Sequence, residues 1–193
     1  MYIRILKRII DIALSLILLF LTFPVILIFV ALIFINDGAS PIYTQRRIGK
    51  DGKEFYIYKL RSMRTGAPEV ATHLLGDDSN QITTVGRFIR RTSIDELPQL
   101  INVIKGEMSL VGPRPALWNQ YDLINLRREY GIDKLTPGIT GWAQVNGRDS
   151  ISLERKVALD REYLLAISAG SFSAFLMDAK CILRTFSVLF VHK

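Results

Sequence analysis

A chain of 193 residues with 49% hydrophobic side chains can bury one full core, and one globular domain is the natural starting point. The formal charge of +7 suits anionic partners: lipid headgroups, nucleotide phosphates or nucleic acid. The single cysteine, Cys181, excludes an internal disulfide and favours the reducing cytoplasm.

The apolar residues are unevenly spread. From Ile12 to Ile35 the chain runs 24 residues without a charged side chain, with Pro24 at the middle. As one straight helix the run would reach roughly 36 Å, enough to cross a hydrocarbon core. Proline removes a helix hydrogen bond and bends the axis, so each half reaches only about 18 Å. The flanks are basic on both sides, Lys7 and Arg8 before, Arg46, Arg47 and Lys50 after, so the positive-inside rule selects no orientation. Two readings fit: a Pro-kinked spanning helix, and a helix that enters one leaflet and returns to the same face. Asp11 falls four residues after Lys7 and three after Arg8, on the helix face where it would pair with them.

Beyond this segment, IYTQRRIG and EFYIYKLRSM flank KDGK at residues 50–53, a hairpin signal. Alternation puts Lys59 and Arg61 on one face of the second strand with Ile57, as an ordinary half-exposed strand or as a cationic edge for headgroups or a nucleotide. Residues 65–84 read as a loop. His73 within it has no second ligand at metal spacing and reads as structural.

In TSIDELPQL, residues 92–100, Leu97, Leu100, Ile101 and Ile104 recur at helical spacing up to Lys105-Gly106. Ser93 and Glu96 have capping-box spacing, but Pro98 would then lie beyond the first turn. Starting the helix with Asp95 as the cap keeps Pro98 inside that turn, where its missing donor costs nothing. Either start puts Asp95 and Glu96 where a helix dipole favours anions, so capping alone accounts for both.

SLVGPRP, residues 109–115, then holds Arg114 between two prolines, an extended backbone that pre-orients a guanidinium for bidentate phosphate contact. Carboxylates for a divalent cation beside arginines for phosphate are the parts needed for phosphoryl transfer. Trp142 reads as an interfacial anchor or a core aromatic. Residues 152–167 form an amphipathic helix, and the Phe- and Leu-rich segment from Phe172 to Phe190 suits either an interfacial helix or a core or docking one.

Together KRIID, the apolar run with Pro24, QRRIG, YKLRSM, VGRFIRRTSIDELPQLINVIKGEMSLVGPRP and LTPGITGWAQVNGR resemble the bacterial sugar transferase family, specifically the small monotopic phosphoglycosyl transferases. The resemblance covers nearly the whole chain. It implies transfer of a sugar 1-phosphate from a UDP-sugar to polyprenyl phosphate at the cytoplasmic face of the bacterial inner membrane, releasing UMP. It also implies that Asp95 is the nucleophile, that Glu96 helps to hold Mg²⁺, and that Arg148 contacts the nucleotide sugar; Arg90 and Arg114 stand as further phosphate contacts. The expected fold is mainly α with a small β-hairpin. It comprises a monotopic re-entrant membrane helix in residues 1–36, broken at Pro24, and a catalytic domain in residues 37–193 with amphipathic membrane-surface helices.

One departure is visible: the family often has serine directly before the helix-breaking proline, where this chain has Phe23, with Thr22 one position earlier. Other functions remain open on the residues alone. A Mg²⁺-dependent phosphohydrolase would use the same acids, and a membrane-tethered binding protein would use only the basic clusters, although no nucleic-acid motif is present. A homodimer is compatible with the sequence but nothing in it demands one.

Overall fold

A computed structural model describes residues 5–38, 40–67, 81–147 and 150–191. Helix α1 (Lys7–Asp37) runs unbroken through Pro24 and stops at Gly38, whose left-handed backbone (φ 63°) lets its N–H cap the Phe34 carbonyl. Pro24 leaves the Phe20 carbonyl without its usual donor. The nearby Thr22 hydroxyl donates instead to the Leu18 carbonyl at 2.7 Å, two residues short of that gap.

The predicted hairpin forms. β1 (Ile42–Ile48) pairs antiparallel with β2 (Glu54–Leu60), with Ile42 opposite Leu60 and Ile48 opposite Glu54. Asp51 takes a positive φ of 56° at the tip, which Asp tolerates better than most residues. After it come α2 (Thr84–Arg91), a 3₁₀ turn (Ile94–Gln99), α3 (Leu100–Lys105), β3 (Ser109–Val111), β4 (Ala116–Leu117) and α4 (Tyr121–Glu129). β5 (Gly138–Thr140), α5 (Trp142–Val145), α6 (Leu153–Ser168) and α7 (Ser171–Val191) complete the order. β4 joins the free edge of β1, giving a three-stranded sheet, while β3 and β5 form a separate parallel pair. That pair is very close: a Cβ on Gly138 would lie 2.1 Å from the Gly112 amide nitrogen, so only glycine fits.

α1 is tied to the rest of the chain along most of its length. Near its start, Arg8 donates to the Val103 and Ile104 carbonyls at the end of α3. Asp11 is buried and accepts from the Ser109 hydroxyl at 2.7 Å, and Lys7 pairs with Asp178 of α7 at 2.9 Å. Asp11 keeps a contact with Lys7 at 3.7 Å, but its partnership with Arg8 does not form, because that guanidinium is drawn to the orphan carbonyls of α3. Past Pro24, Ile26 and Ile33 pack with Leu60 of β2 and Ile89 of α2, with Ile94 and Leu97 of the 3₁₀ turn alongside. Each such buried side chain contributes about 1.5–3 kcal/mol.

The opposite face of α1 is bare. Leu14, Ile17, Phe20, Leu21, Phe23, Leu27, Ile28, Phe34 and Ile35 are all exposed, and the helix is long and apolar enough to cross a membrane. α7 is split in the same way, burying Ala174, Asp178 and Cys181 while exposing Phe172, Phe175, Leu176, Leu183 and Phe186. α6 differs: Val157, Leu159, Asp160, Tyr163 and Ile167 are buried, so it belongs to the core. Trp142 is also a core aromatic, with its indole N–H donated to Glu162 at 2.8 Å.

Candidate active site

Asp95 and Glu96 occupy a 3₁₀ turn, and the backbone explains why. α2 ends at Arg91, and Ser93 adopts a left-handed conformation (φ 56°) that turns the chain directly into Ile94–Gln99 with no intervening loop. The start predicted with Asp95 as the cap is therefore two residues late. Ser93 is the cap position, and its side chain makes no capping bond; only the backbone Glu96 N–H reaches the Ser93 carbonyl, at 3.1 Å. Pro98 fits the tight turn, and Ile94 and Leu97 fix it against α1.

The two acids meet different surroundings. Glu96 receives Lys59 Nζ at 2.9 Å and the Arg114 fork at 2.6 and 3.4 Å. Burial alone would raise the Glu96 carboxyl, but Arg114 and Lys59 together overrule it and hold it well below the usual range. Among the described residues Asp95 has no such clamp. It is 8% exposed, and burial, reinforced by the Glu96 charge, pushes it up to about 6 against the opposing pull of Lys59, Arg90 and Arg114. The two adjacent carboxyls are thus driven in opposite directions, a pattern found where acids serve different roles at one site.

Arg90, on the last turn of α2, is close enough to Asp95 to act on it electrostatically, yet its guanidinium makes no hydrogen bond or ion pair among the described residues. Arg87 and Arg91 are exposed. The structure thus brings together four of the five predicted residues, Arg90, Asp95, Glu96 and Arg114. Arg148 lies outside the described residues, as does His73.

Lys59 is the principal addition. β2 places it on the same side as the buried Phe55 and Ile57, so its partner is internal rather than a headgroup. That alternation was visible in the sequence; the identity of the partner, 37 positions away, was not. The strand is held in place by the fully buried Asn102 of α3, which accepts from the Tyr58 N–H at 3.1 Å and donates to the Tyr56 carbonyl at 2.8 Å. Burial lowers the Lys59 ammonium despite the favourable Glu96 charge.

Among the described residues no three acidic, histidine or cysteine side chains gather as a metal cage. Mg²⁺ does not require one, because it is commonly held by one or two carboxylates completed by substrate phosphates and water. Glu96 fits that mode: Oε1 takes both short ion pairs, and Oε2 keeps only the longer contact to Arg114.

The family model for bacterial sugar transferases matches residues 2–192, and the chain belongs to that family. It is similar to the uncharacterized sugar transferase EpsL of Bacillus subtilis (strain 168), 44% identical over 160 residues, which are 83% of this chain and 78% of that protein. It is 38% identical to the undecaprenyl-phosphate galactose phosphotransferase of Salmonella typhimurium (strain LT2), covering 94% of this chain and 41% of that protein. It is 37% identical to the UDP-glucose:undecaprenyl-phosphate glucose-1-phosphate transferase of Escherichia coli (strain K12), covering 98% of this chain and 41% of that protein. The chain therefore spans about two fifths of the length of the last two relatives.

Proposed function

We propose that this protein is a phosphoglycosyl transferase that moves a sugar 1-phosphate from a UDP-sugar to polyprenyl phosphate. The observation that carries this reading is the unequal pair: an unclamped, buried Asp95 beside a Glu96 fixed by two cations, on a turn packed against the apolar α1. The names of the Salmonella and Escherichia relatives describe the same reaction class.

In the first step an Asp95 carboxylate oxygen attacks the sugar-bearing β-phosphorus. A new P–O bond forms to Asp95 as the bond to the bridging oxygen breaks, and UMP leaves with that electron pair. In the second step a phosphate oxygen of the lipid attacks the same phosphorus, the bond to Asp95 breaks, and polyprenyl diphosphate sugar results. Arg114 and Arg90 neutralise the phosphoryl oxygens, and Lys59 keeps Glu96 oriented. Glu96 would hold Mg²⁺, which when bound supplies further charge neutralisation at the diphosphate. Incubation with a UDP-sugar but no lipid is expected to give one equivalent of UMP and an Asp95 adduct of one sugar phosphate by intact mass. Continuous UMP release without lipid would instead identify a hydrolase.

For the membrane, the reading is monotopic: α1 enters one leaflet, bends at Pro24 and returns to the cytoplasmic face of the inner membrane, with α7 lying along the surface. Its support is that residues on both sides of Pro24 bind the same domain, through Arg8 and Asp11 on one side and Ile26 and Ile33 on the other. Cysteines introduced as Tyr2→Cys and Ser40→Cys are expected to react with an impermeant maleimide from the cytoplasmic side only. Cys181 stays silent, because burial pushes its thiol up to about 12 and hides it from solvent. Labelling from opposite sides would mean that the helix spans.

A further inference from the structure

The Pro113-Arg114-Pro115 backbone has few donors of its own, yet each of its three carbonyls is occupied. Pro113 accepts from the Gly138 N–H of β5 at 2.9 Å. Pro115 accepts from Arg47 of β1 at 3.0 Å, whose other guanidinium nitrogens grip Gln45 at 2.6 and 3.2 Å. The Arg114 carbonyl itself accepts from Arg127 Nη1 of α4 at 2.7 Å.

Arg127 is the unusual member. It is buried, and its Nε and Nη2 both donate to Oδ2 of Asp160 on α6, at 3.0 and 2.6 Å. Asp160 is 1% exposed, and its other oxygen, Oδ1, has no hydrogen-bond partner among the described residues. A buried ion pair between α4 and α6 is by itself weak evidence for stability, because desolvating two charges offsets much of their attraction. Here Nε and Nη2 hold one carboxylate oxygen, while the third guanidinium nitrogen, Nη1, is turned out of the pair to reach the backbone carbonyl of Arg114.

We propose that Arg127, locked by Asp160, is a positioning residue that aims Arg114 at the reacting phosphate. This rests on Arg114 contacting phosphate, as in the reading above. The side chain of Arg114 leaves a backbone fixed by prolines on both sides and by a buried guanidinium behind it, which sets where that side chain starts, while Glu96 holds its fork at the site. Arg127 touches neither Glu96 nor Asp95 through any hydrogen bond, and its effect passes through Arg114 alone.

The test is a double-mutant cycle on the full chain in detergent or vesicles, reading UMP release from UDP-sugar with polyprenyl phosphate. The paired replacement Arg127→Met with Asp160→Leu removes the strut without stranding a buried charge, and Arg127→Lys keeps the charge but not the fork. In otherwise wild-type protein both are expected to lower kcat/KM for the UDP-sugar by about 10- to 100-fold, since misplacement of roughly 1 Å has that effect. The melting temperature should move by only a few degrees. In an Arg114→Ala background the same changes should cost less than about twofold. Equal losses in both backgrounds, or no loss in either variant, would overturn the proposal. If the paired variant does not fold, the Arg127→Lys comparison decides alone. A wild-type protein that releases no UMP with any UDP-sugar would sink the transferase reading instead, and the two failures are distinct.

Discussion

Asp95→Asn is expected to reduce UMP release by about four orders of magnitude or more and, at the same time, to make the protein more stable. The first effect follows from loss of the nucleophile, since an amide forms no aspartyl phosphosugar; a sugar-phosphate adduct surviving in this variant would remove Asp95 from that role. The second follows from proton linkage. The Asp95 carboxyl is raised from 3.8 to about 6 in the folded, metal-free protein, chiefly by burial. A raised carboxyl favours folding in full below its unfolded value, and that advantage declines as pH rises and is gone above the folded one. Above about pH 6, wild type therefore carries the cost of a buried charge that asparagine avoids, about 2–3 kcal/mol. Thermal melts in EDTA should show the variant roughly 5–10 °C higher at pH 7.5, with the gap closing as pH falls towards 4. A gap of the same size at both pH values would mean that the stabilisation is not electrostatic.

Glu96→Gln should behave in the opposite sense. Its carboxyl is held well below the usual range, so its stabilisation is present at neutral pH and is lost only as strong acid protonates it. The substitution leaves Lys59 and Arg114 without their common anion. Removing one partner of a fully buried pair costs about 3–5 kcal/mol; with Arg114 36% exposed, about 2–3 kcal/mol is expected here. The melting temperature should fall at pH 7.5, and the Mg²⁺ concentration for half-maximal activity should rise about 10- to 100-fold. An unchanged Mg²⁺ requirement in a folded variant would remove Glu96 from the metal.

The sequence made some of this legible and hid the rest for physical reasons. The hairpin was readable because Asp51-Gly52 between β-prone runs is a local signal, and the apolar α1 because its composition allows little else. The cap was placed two residues late, at Asp95 instead of Ser93, because Pro98 was weighed against an α-helix, whereas the chain leaves Arg91 through a left-handed Ser93 into a 3₁₀ turn. β3, β4 and β5 are two or three residues long, and Val111 meets Thr140 across a gap that no local pattern reports. Asp160 sits on the same helix face as the buried Val157 and Tyr163, which marks it as a buried acid needing a partner, but nothing nearby names Arg127. The role of Lys59 likewise needed Asn102 to set β2 against α3.

α1 supplies Ile26 and Ile33 to the packing around Leu60 and Ile89, and Asp11 to the hydroxyl of Ser109. A shortened chain beginning at β1 would leave those apolar side chains facing water, and Ser109 and the end of α3 without their partners. Such a water-soluble fragment is therefore not expected to fold. Withdrawal from the lipid and loss of tertiary structure become a single cooperative transition, so apparent stability should depend on the thickness and composition of the surrounding bilayer or micelle.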